Sequence, residues 1–135
     1  YENLATIIPV PCPDLVEYVE KGILEGPELE GYLKDVLTPC LQEGVKAVVL
    51  GCTHFNYFKD SFAKLFPDDL EMVDGNTGVS NNLKNTVIKN GIFTEADSNK
   101  KGSVEYYYSD RKMESQAEME HIRRLHDRLE RMRQI

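Results

Sequence analysis

Cysteine is scarce in this sequence and long apolar runs are absent, and both facts narrow the class of protein. The 135 residues hold three cysteines, an odd number without regular spacing, which is a poor framework for disulfides. There is no Asn-x-Ser/Thr glycosylation sequon and no secretory leader pattern. No run approaches the roughly 18 apolar residues of a membrane span. We therefore expect a cytoplasmic protein without a membrane partner.

Negative charge outweighs positive charge, with 23 Asp and Glu against 16 Lys and Arg. The formal net charge is -7, so most of the surface would repel a polyanion and a general nucleic-acid partner is excluded. The charge is uneven, because from Arg111 onward seven Lys and Arg outnumber five Asp and Glu. The chain opens on Tyr1 rather than Met, and we expect an excised fragment or a processed product.

Short apolar runs alternate with helical stripes along the chain, which is the pattern of βα units. Strands are predicted at Leu4–Val10, Val45–Leu50, Leu70–Val73 and Val104–Tyr108. The second of these is nearly continuously apolar and β-branched, as a strand covered on both faces of a parallel sheet should be. The expected fold class is therefore α/β with a parallel sheet.

Helices are predicted between these strands. The apolar spacing indicates a short helix from Pro13, a longer one over Pro27–Glu43 that Pro39 should kink or break, and one from about Asn56 to Phe66. A further helix after Gly78 is expected to direct its apolar side chains inward: Val79, Leu83, Val87 and Ile88. The last 24 residues, Lys112–Ile135, predict a long charged helix with an apolar seam: Met119, Ile122, Leu125, Leu129 and Met132.

The chemistry is expected at Gly51-Cys52-Thr53-His54. In open α/β sheets ligands bind beyond the carboxyl ends of the strands, and Cys52 directly follows the clearest strand. The N-terminus of a following helix would favour a thiolate and could hold a substrate carboxylate. His54 can share or shuttle a proton near neutral pH, and Thr53 offers a short hydroxyl for hydrogen bonding. These residues are therefore candidates for acid–base work on a carboxylate substrate.

Plainer interpretations stand beside this one. A cysteine after a buried strand is often only a small apolar filler, and Glu20 at the end of a short helix reads by default as a solvated acid. Zinc binding lacks ligands with the usual C-x2-C spacing. Cys40 lies on the apolar face of its helix and is expected to pack there, whereas the residues around Cys12 leave its role open.

Leu50-Gly51-Cys52-Thr53-His54-Phe55 resembles the signature around the second catalytic cysteine of the glutamate racemases. The similarity extends to Pro11–Gly22, to Tyr32–Gly44 and to Val73-Asp74-Gly75, and it is poor beyond Arg111. The resemblance implies a three-layer parallel-sheet lobe over residues 1–74. It also implies that residues 75–135 return to complete the first lobe and then add the charged helix.

For function, the resemblance implies an isomerase that interconverts L- and D-glutamate for peptidoglycan synthesis without pyridoxal phosphate or metal. Two cysteines on opposite faces of the α-carbon carry the proton in this family. Cys52 matches one of them, Thr53 and His54 match substrate-binding positions, and His54 is also placed to assist proton transfer. Glu20 matches an acid that orients this histidine.

The resemblance also implies that the second cysteine lies in an N-terminal lobe, which this chain does not contain. We therefore expect the chain to be inactive alone and to need that lobe as its partner. Two other functions stay open: an aspartate or hydantoin racemase, although those relatives typically carry an acid at the place of His54, and a non-catalytic interaction module. The seam of the last helix suggests either a homodimer contact or docking on the body of the protein.

Overall fold

The computed structural model describes residues 5–92, 102–133 and 135, which form two compact units. One unit reaches as far as Asp74 and takes in the end of the chain from Arg124, and the other covers Gly75–Arg123. The assignment of these ranges to two lobes of a racemase stays a prediction.

Two helices open the first unit, α1 over Pro13–Glu20 and α2 over Pro27–Gln42. Each has proline in its first turn. The N–H groups of a first turn make no hydrogen bond within the helix, so the absence of one in proline costs nothing there. Each stops before a glycine in the left-handed region, Gly22 at φ 72° and Gly44 at φ 73°, a conformation that costs glycine little. Both predicted helices are confirmed to within a residue or two.

Pro39 lies inside α2, so the predicted break at this residue is wrong, while the predicted kink stays a prediction. The proline stands one turn before the end of the helix, where it removes only one backbone hydrogen bond. The Thr38 hydroxyl donates to the carbonyl of Lys34 at 2.6 Å within the same turn. The buried face of α2 then provides much of the core: Leu29, Leu33, Leu37 and Cys40.

The sheet of the first unit has two short parallel strands, β1 over Ala47–Val49 and β2 over Glu71–Val73. This pairing confirms the α/β class with a parallel sheet. Coverage on both faces, however, is wrong for the described residues, because the side of Val49 away from the core is open and 71% of the residue is exposed. On the other face, Val48 packs against the core.

The segment after β1 is a 3-10 helix over Thr53–Phe58 followed by α3 over Lys59–Leu65. Helical structure thus begins three residues earlier than predicted. Side chains of α1, α2, β1 and this segment form the core of the unit. Its fully buried members include Leu15, Leu29, Leu33 and Phe58. The 3-10 helix is held by this core directly beside α1.

The strand predicted at the start of the chain is wrong where it can be judged, since Ala5–Val10 form no strand. Leu4 lies outside the described residues. A strand needs a neighbour that takes up its backbone hydrogen bonds, and Pro9 and Pro11 lack the N–H groups for a ladder. The side chain of Ile7 is accordingly exposed.

The second unit begins with α4 over Asn76–Lys89, and none of its residues is buried. The inward orientation predicted for its apolar face is therefore wrong for the described chain, since Val79, Leu83 and Ile88 are exposed and Val87 is only half-buried. A hairpin of β3, Tyr107–Tyr108, and β4, Arg111–Lys112, follows. The predicted strand over 104–108 is thus reduced to two residues.

The last helix, α5, covers Gln116–Met132. Ser115 and Glu118 form a reciprocal cap at its start, with Glu118 N–H to Ser115 Oγ at 3.2 Å and Ser115 N–H to Glu118 Oε2 at 3.1 Å. In the first unit Leu125 packs against the core and Met132 is buried. Of the two interpretations of the seam, docking on the body holds for this end of the helix. Across residues 5–92 and 102–133, no helix is long and apolar enough to span a membrane.

Candidate active site around Cys52

Cys52 lies at the carboxyl end of β1, half-buried and in extended conformation at φ -131° and ψ 137°. It is the residue directly before the 3-10 helix, and its carbonyl accepts a hydrogen bond from Phe55 N–H at 3.0 Å. The Asn56 side chain donates to the Thr53 carbonyl at 3.1 Å, which stabilises the tight turn. The turn places the His54 side chain on the same side as the thiol.

The Cys52 Sγ atom is 3.6 Å from His54 Nδ1, which is within the distance of a sulfur hydrogen bond. The second ring nitrogen, Nε2, is 3.4 Å from Glu20 Oε1. The three side chains therefore stand in a row from thiol to imidazole to carboxylate. The structure brings together Cys52, His54 and Glu20, although Glu20 is separated from His54 by 34 residues in sequence.

The partners of His54 indicate which of its ring nitrogens carries the proton. An ionised carboxylate only accepts hydrogen bonds, so its contact with His54 requires the ring proton on Nε2. In a neutral imidazole the proton on Nε2 leaves Nδ1 as an acceptor, and Nδ1 is the atom that faces Cys52. The contact with Glu20 therefore favours the tautomer in which Nδ1 is an acceptor facing the thiol. The contact is half open to water, because 62% of the Glu20 side chain and 31% of that of His54 are exposed.

Glu20 reaches the site because it is the last residue of α1, and α1 packs beside the 3-10 helix through the buried Leu15, Val19 and Phe58. Tyr57 also lies near this carboxylate. Burial raises the pKa of the Tyr57 hydroxyl, and the Glu20 charge raises it further. Tyr57 is a neighbour of the site that the sequence reasoning missed, since nothing in its spacing marks it.

Thr53 is exposed between Cys52 and His54. Its carbonyl is engaged in the turn with Asn56, while its side chain projects from the first residue of the 3-10 helix. The position agrees with a substrate-facing role only in that it is open to solvent beside the thiol. Its part in binding stays a prediction.

The other two cysteines are buried and have local backbone partners. Cys40 donates to the Leu37 carbonyl at 3.0 Å, as expected for a packed residue. Cys12 lies 3.6 Å from the Val10 carbonyl, and burial together with the nearby Cys40 raises the pKa of its thiol. Cys12 is therefore a neutral core thiol. Among the residues that the structure describes, no group of three metal-binding side chains comes together.

The sequence reasoning also missed two charged contacts in the first unit, on the segments that follow the residues of the site. Lys59 pairs with Asp74 at 2.5 Å, which ties the start of α3 to the end of β2. Arg128 of α5 is 1% exposed and bonds to three groups of the first unit: the Tyr57 carbonyl, the Leu24 carbonyl and the Asp60 carboxylate. The position of Arg128 between Leu125 and Met132 of the apolar seam could have indicated its burial, but an arginine in a charged helix is normally expected to be solvated.

Comparison with known proteins finds a protein named glutamate racemase from Lachnospira eligens, 64% identical over 135 residues, which is 100% of this chain and 51% of that protein. Another of that name from Clostridium novyi is 40% identical over 109 residues, 81% of this chain and 41% of its own length. A third from Halothermothrix orenii is 39% identical over 102 residues, or 76% of the chain and 40% of the relative. No protein-family model matches. The chain spans about half the length of the curated relatives it matches.

Proposed function

Because this chain is homologous to the glutamate racemases and corresponds to about half of one, we propose that it contributes one of the two proton-transferring thiols of such an enzyme. Cys52 is that thiol, and the substrate is glutamate. The observation that carries the proposal is the row from Cys52 Sγ to His54 Nδ1 and from His54 Nε2 to Glu20 Oε1. It supplies a thiol with an oriented base.

In the proposed reaction the Cys52 thiolate removes the α-proton from one enantiomer and becomes a thiol. A second thiol, on the opposite face of the α-carbon, gives its proton to that carbon and becomes a thiolate. One base alone would tend to return the proton to the face it came from. His54 holds the Cys52 proton between turnovers, and Glu20 keeps the imidazole in the required tautomer. Thr53 and His54 bind the substrate through their exposed polar groups.

The second thiol cannot be Cys12 or Cys40, because both are buried in the core of the first unit. We therefore propose that it belongs to an N-terminal lobe, the part of the relatives that this chain does not match, and that the chain alone is inactive. The exposed apolar side chains of α4 support such a partner, since an apolar patch of this kind usually marks a binding surface. Residues 1–74 then belong to a three-layer second lobe, and residues 75–135 complete the first lobe and add the charged helix.

The wider role follows from the same homology. D-Glutamate is the product that peptidoglycan synthesis needs, and we assign the enzyme to that supply. A cytoplasmic location is proposed with it, since all three cysteines are free thiols and reduced thiols persist in a reducing compartment. The chemistry as proposed uses neither metal nor organic cofactor.

A chimera tests the proposal. The segment of the Lachnospira eligens racemase that matches this chain is replaced by this chain, and exchange between D- and L-glutamate is followed by circular dichroism or by solvent deuterium incorporation. We expect exchange in the chimera and its loss by a factor of at least about 1,000 in Cys52→Ala, because water in place of the thiol cannot act as a positioned acid–base group. Lys46→Ala, an exposed charge on the same unit, is the matched control and should retain activity.

Four results would count against the proposal. Activity of the chimera that survives Cys52→Ala would remove the thiol from the mechanism. Exchange of aspartate or a hydantoin in preference to glutamate would assign the chain to another racemase of this superfamily. Racemisation by the isolated 135-residue chain, lost in Cys52→Ala, would show that no further lobe is needed. A folded chimera without any exchange would favour the non-catalytic interaction module.

A further inference from the structure

Arg128 is a buried cation in the otherwise apolar seam of α5, where it is 1% exposed. It stands in the seam of α5 between Leu125 and Met132, both of which pack in the first unit. Taking a guanidinium out of water carries a large desolvation penalty, and a buried ion pair is often no more stabilising than apolar side chains of similar volume. The residue therefore needs an explanation beyond stability.

The contacts of Arg128 are those of a fork. Nε donates to the Tyr57 carbonyl at 2.9 Å, and Nη2 donates to the Leu24 carbonyl at 2.8 Å. Nη2 also bonds to Asp60 Oδ1 at 2.6 Å, and Nη1 is 3.6 Å from Glu25 Oε2. The two carboxylates balance the charge, while the two carbonyls fix the direction of the planar group. Arg128 thus holds two separate backbone segments at a set distance.

These two segments are the ones that carry the candidate site. Tyr57 belongs to the 3-10 helix that begins with Thr53 and contains His54. Leu24 lies in the turn after α1, four residues beyond Glu20, and this turn is bonded back to α1 by Ile23 N–H to the Tyr18 carbonyl at 2.8 Å. The contact between the side chains of His54 and Glu20 is itself long and half exposed, so it cannot hold the two segments on its own.

We propose that Arg128 is a positioning residue that sets the distance between His54 and Glu20 from behind the site. It touches neither the thiol nor the substrate side of the row. Its guanidinium joins the backbone that bears the imidazole to the backbone that bears the carboxylate, and so keeps the Nε2 proton of His54 directed at Glu20. The consequence for catalysis rests on the proposed function, whereas the effect on the geometry does not.

The test reads the imidazole directly in the 135-residue chain. Long-range proton–nitrogen NMR records Nδ1 and Nε2 of His54, with assignment through His54→Gln, in wild type and in Arg128→Lys, Arg128→Met, Arg131→Met and Glu20→Gln. Glu20→Gln defines the signature of a lost carboxylate contact. Arg131 is an exposed arginine of the same helix and provides the matched control. Circular dichroism establishes which variants are folded.

We expect the Nε2 resonance of His54 in Arg128→Lys to move at least half of the way towards its position in Glu20→Gln, and further in Arg128→Met. Arg131→Met should coincide with wild type. A lysine keeps the charge and most of the volume but cannot donate to both carbonyls at once. Arg128→Lys therefore tests the proposal even if Arg128→Met does not fold. A folded Arg128→Lys with the wild-type His54 spectrum would overturn the proposal.

The same substitutions in the chimera separate this inference from the proposed function. Arg128→Lys should lower kcat on the order of 10-fold to 100-fold, because a displacement of about 1 Å at a catalytic group costs that much, with KM within about twofold of wild type. A shift of the His54 Nε2 resonance in Arg128→Lys towards its position in Glu20→Gln, without any effect on kcat, would support the positioning role but contradict a catalytic use of it. An unchanged His54 spectrum in Arg128→Lys, together with chimera activity that still depends on Cys52, would reject the positioning role of Arg128 and leave the proposed function intact.

Discussion

Cys52 and His54 are only two residues apart in sequence, but their side chains meet because the chain turns into a 3-10 helix directly after Cys52. In an extended strand alternate side chains share a face but stand well apart; the tight turn instead brings Sγ to 3.6 Å from Nδ1. Glu20 Oε1 then lies 3.4 Å from the far nitrogen. In the proposed reaction each residue of the row has a chemical task, and the order of the tasks follows from the donors and acceptors that the side chains possess.

This row predicts the reactivity of the thiol. His54→Ala should slow alkylation of Cys52 by iodoacetamide at neutral pH by about threefold to tenfold, because a hydrogen bond to a charged group is worth about 1.5 kcal/mol and the exposure of His54 reduces that value. Glu20→Gln should act in the same direction and less strongly. Mass spectrometry of the Cys52 peptide follows the rate, with the buried Cys12 and Cys40 as internal references. An unchanged rate in His54→Ala would mean that the imidazole does not act on the thiol.

At the scale of elements, the start of α5 is determined by local chemistry. Ser115 and Glu118 cap one another, and Arg111 bonds to Glu118 from β4. The hydrogen bond from Arg111, followed by those from the Ser115 side chain and backbone, lowers the pKa of the Glu118 carboxyl from its ordinary value of 4.5 to about 2. The arrangement closes the helix end with charge of the sign that the dipole favours.

The lowered pKa makes the helix end sensitive to acid in a defined window. A carboxyl whose folded-state pKa is depressed contributes stability above its ordinary value of 4.5 and loses it as the pH falls through about 2. We therefore expect the first turn of α5 to fray between pH 4.5 and 2, measured by the carbon chemical shifts of residues 116–119. Glu118→Gln should show weaker order at every pH and little dependence on it. Glu114→Gln, just outside the cap, should behave as wild type, and the same acid response in all three would contradict the cap.

At the scale of the whole molecule, the apolar side chains divide into two groups. α1 and α2 each bury an apolar face in the first unit, whereas none of the apolar side chains of α4 in the second unit is buried. The helical spacing of the two groups is similar, so the pattern alone shows that an apolar face exists and leaves open what covers it. In the described chain nothing covers the face of α4, and a partner lobe is the proposed cover.

A matched pair of substitutions measures this difference. Leu33→Ala in α2 should lower the free energy of unfolding by about 2–5 kcal/mol, since it empties a fully buried site. Leu83→Ala in α4 should change it by less than about 0.5 kcal/mol, because 64% of the residue is already exposed. Urea unfolding followed by circular dichroism provides both values. Equal costs for the two substitutions would show that α4 is buried by the chain itself.

Local signals predicted the parts of the fold that depend on neighbouring residues. Proline in the first turn and glycine after the last set the ends of α1 and α2, and the β-branched run of 45–50 marked β1. The same signals failed at Ala5–Val10, where an apolar run has no partner strand, and at Pro39, which the helix accommodates near its end. At Ala5–Val10 the deciding factor was the absence of a partner strand, and at Pro39 it was the position one turn before the helix end; residue type alone encodes neither.

For the site, the sequence by itself determined the candidates: a thiol at a strand end, a histidine two residues on, and an acid that a family resemblance attached to them. Only the tertiary structure brought Glu20 to the far nitrogen of His54 and buried Arg128 behind both segments, across separations of 34 and 71 residues. Spacing along the chain determines which side chains share a turn. The packing of α1, the 3-10 helix and α5 on one core decides which of them meet across it.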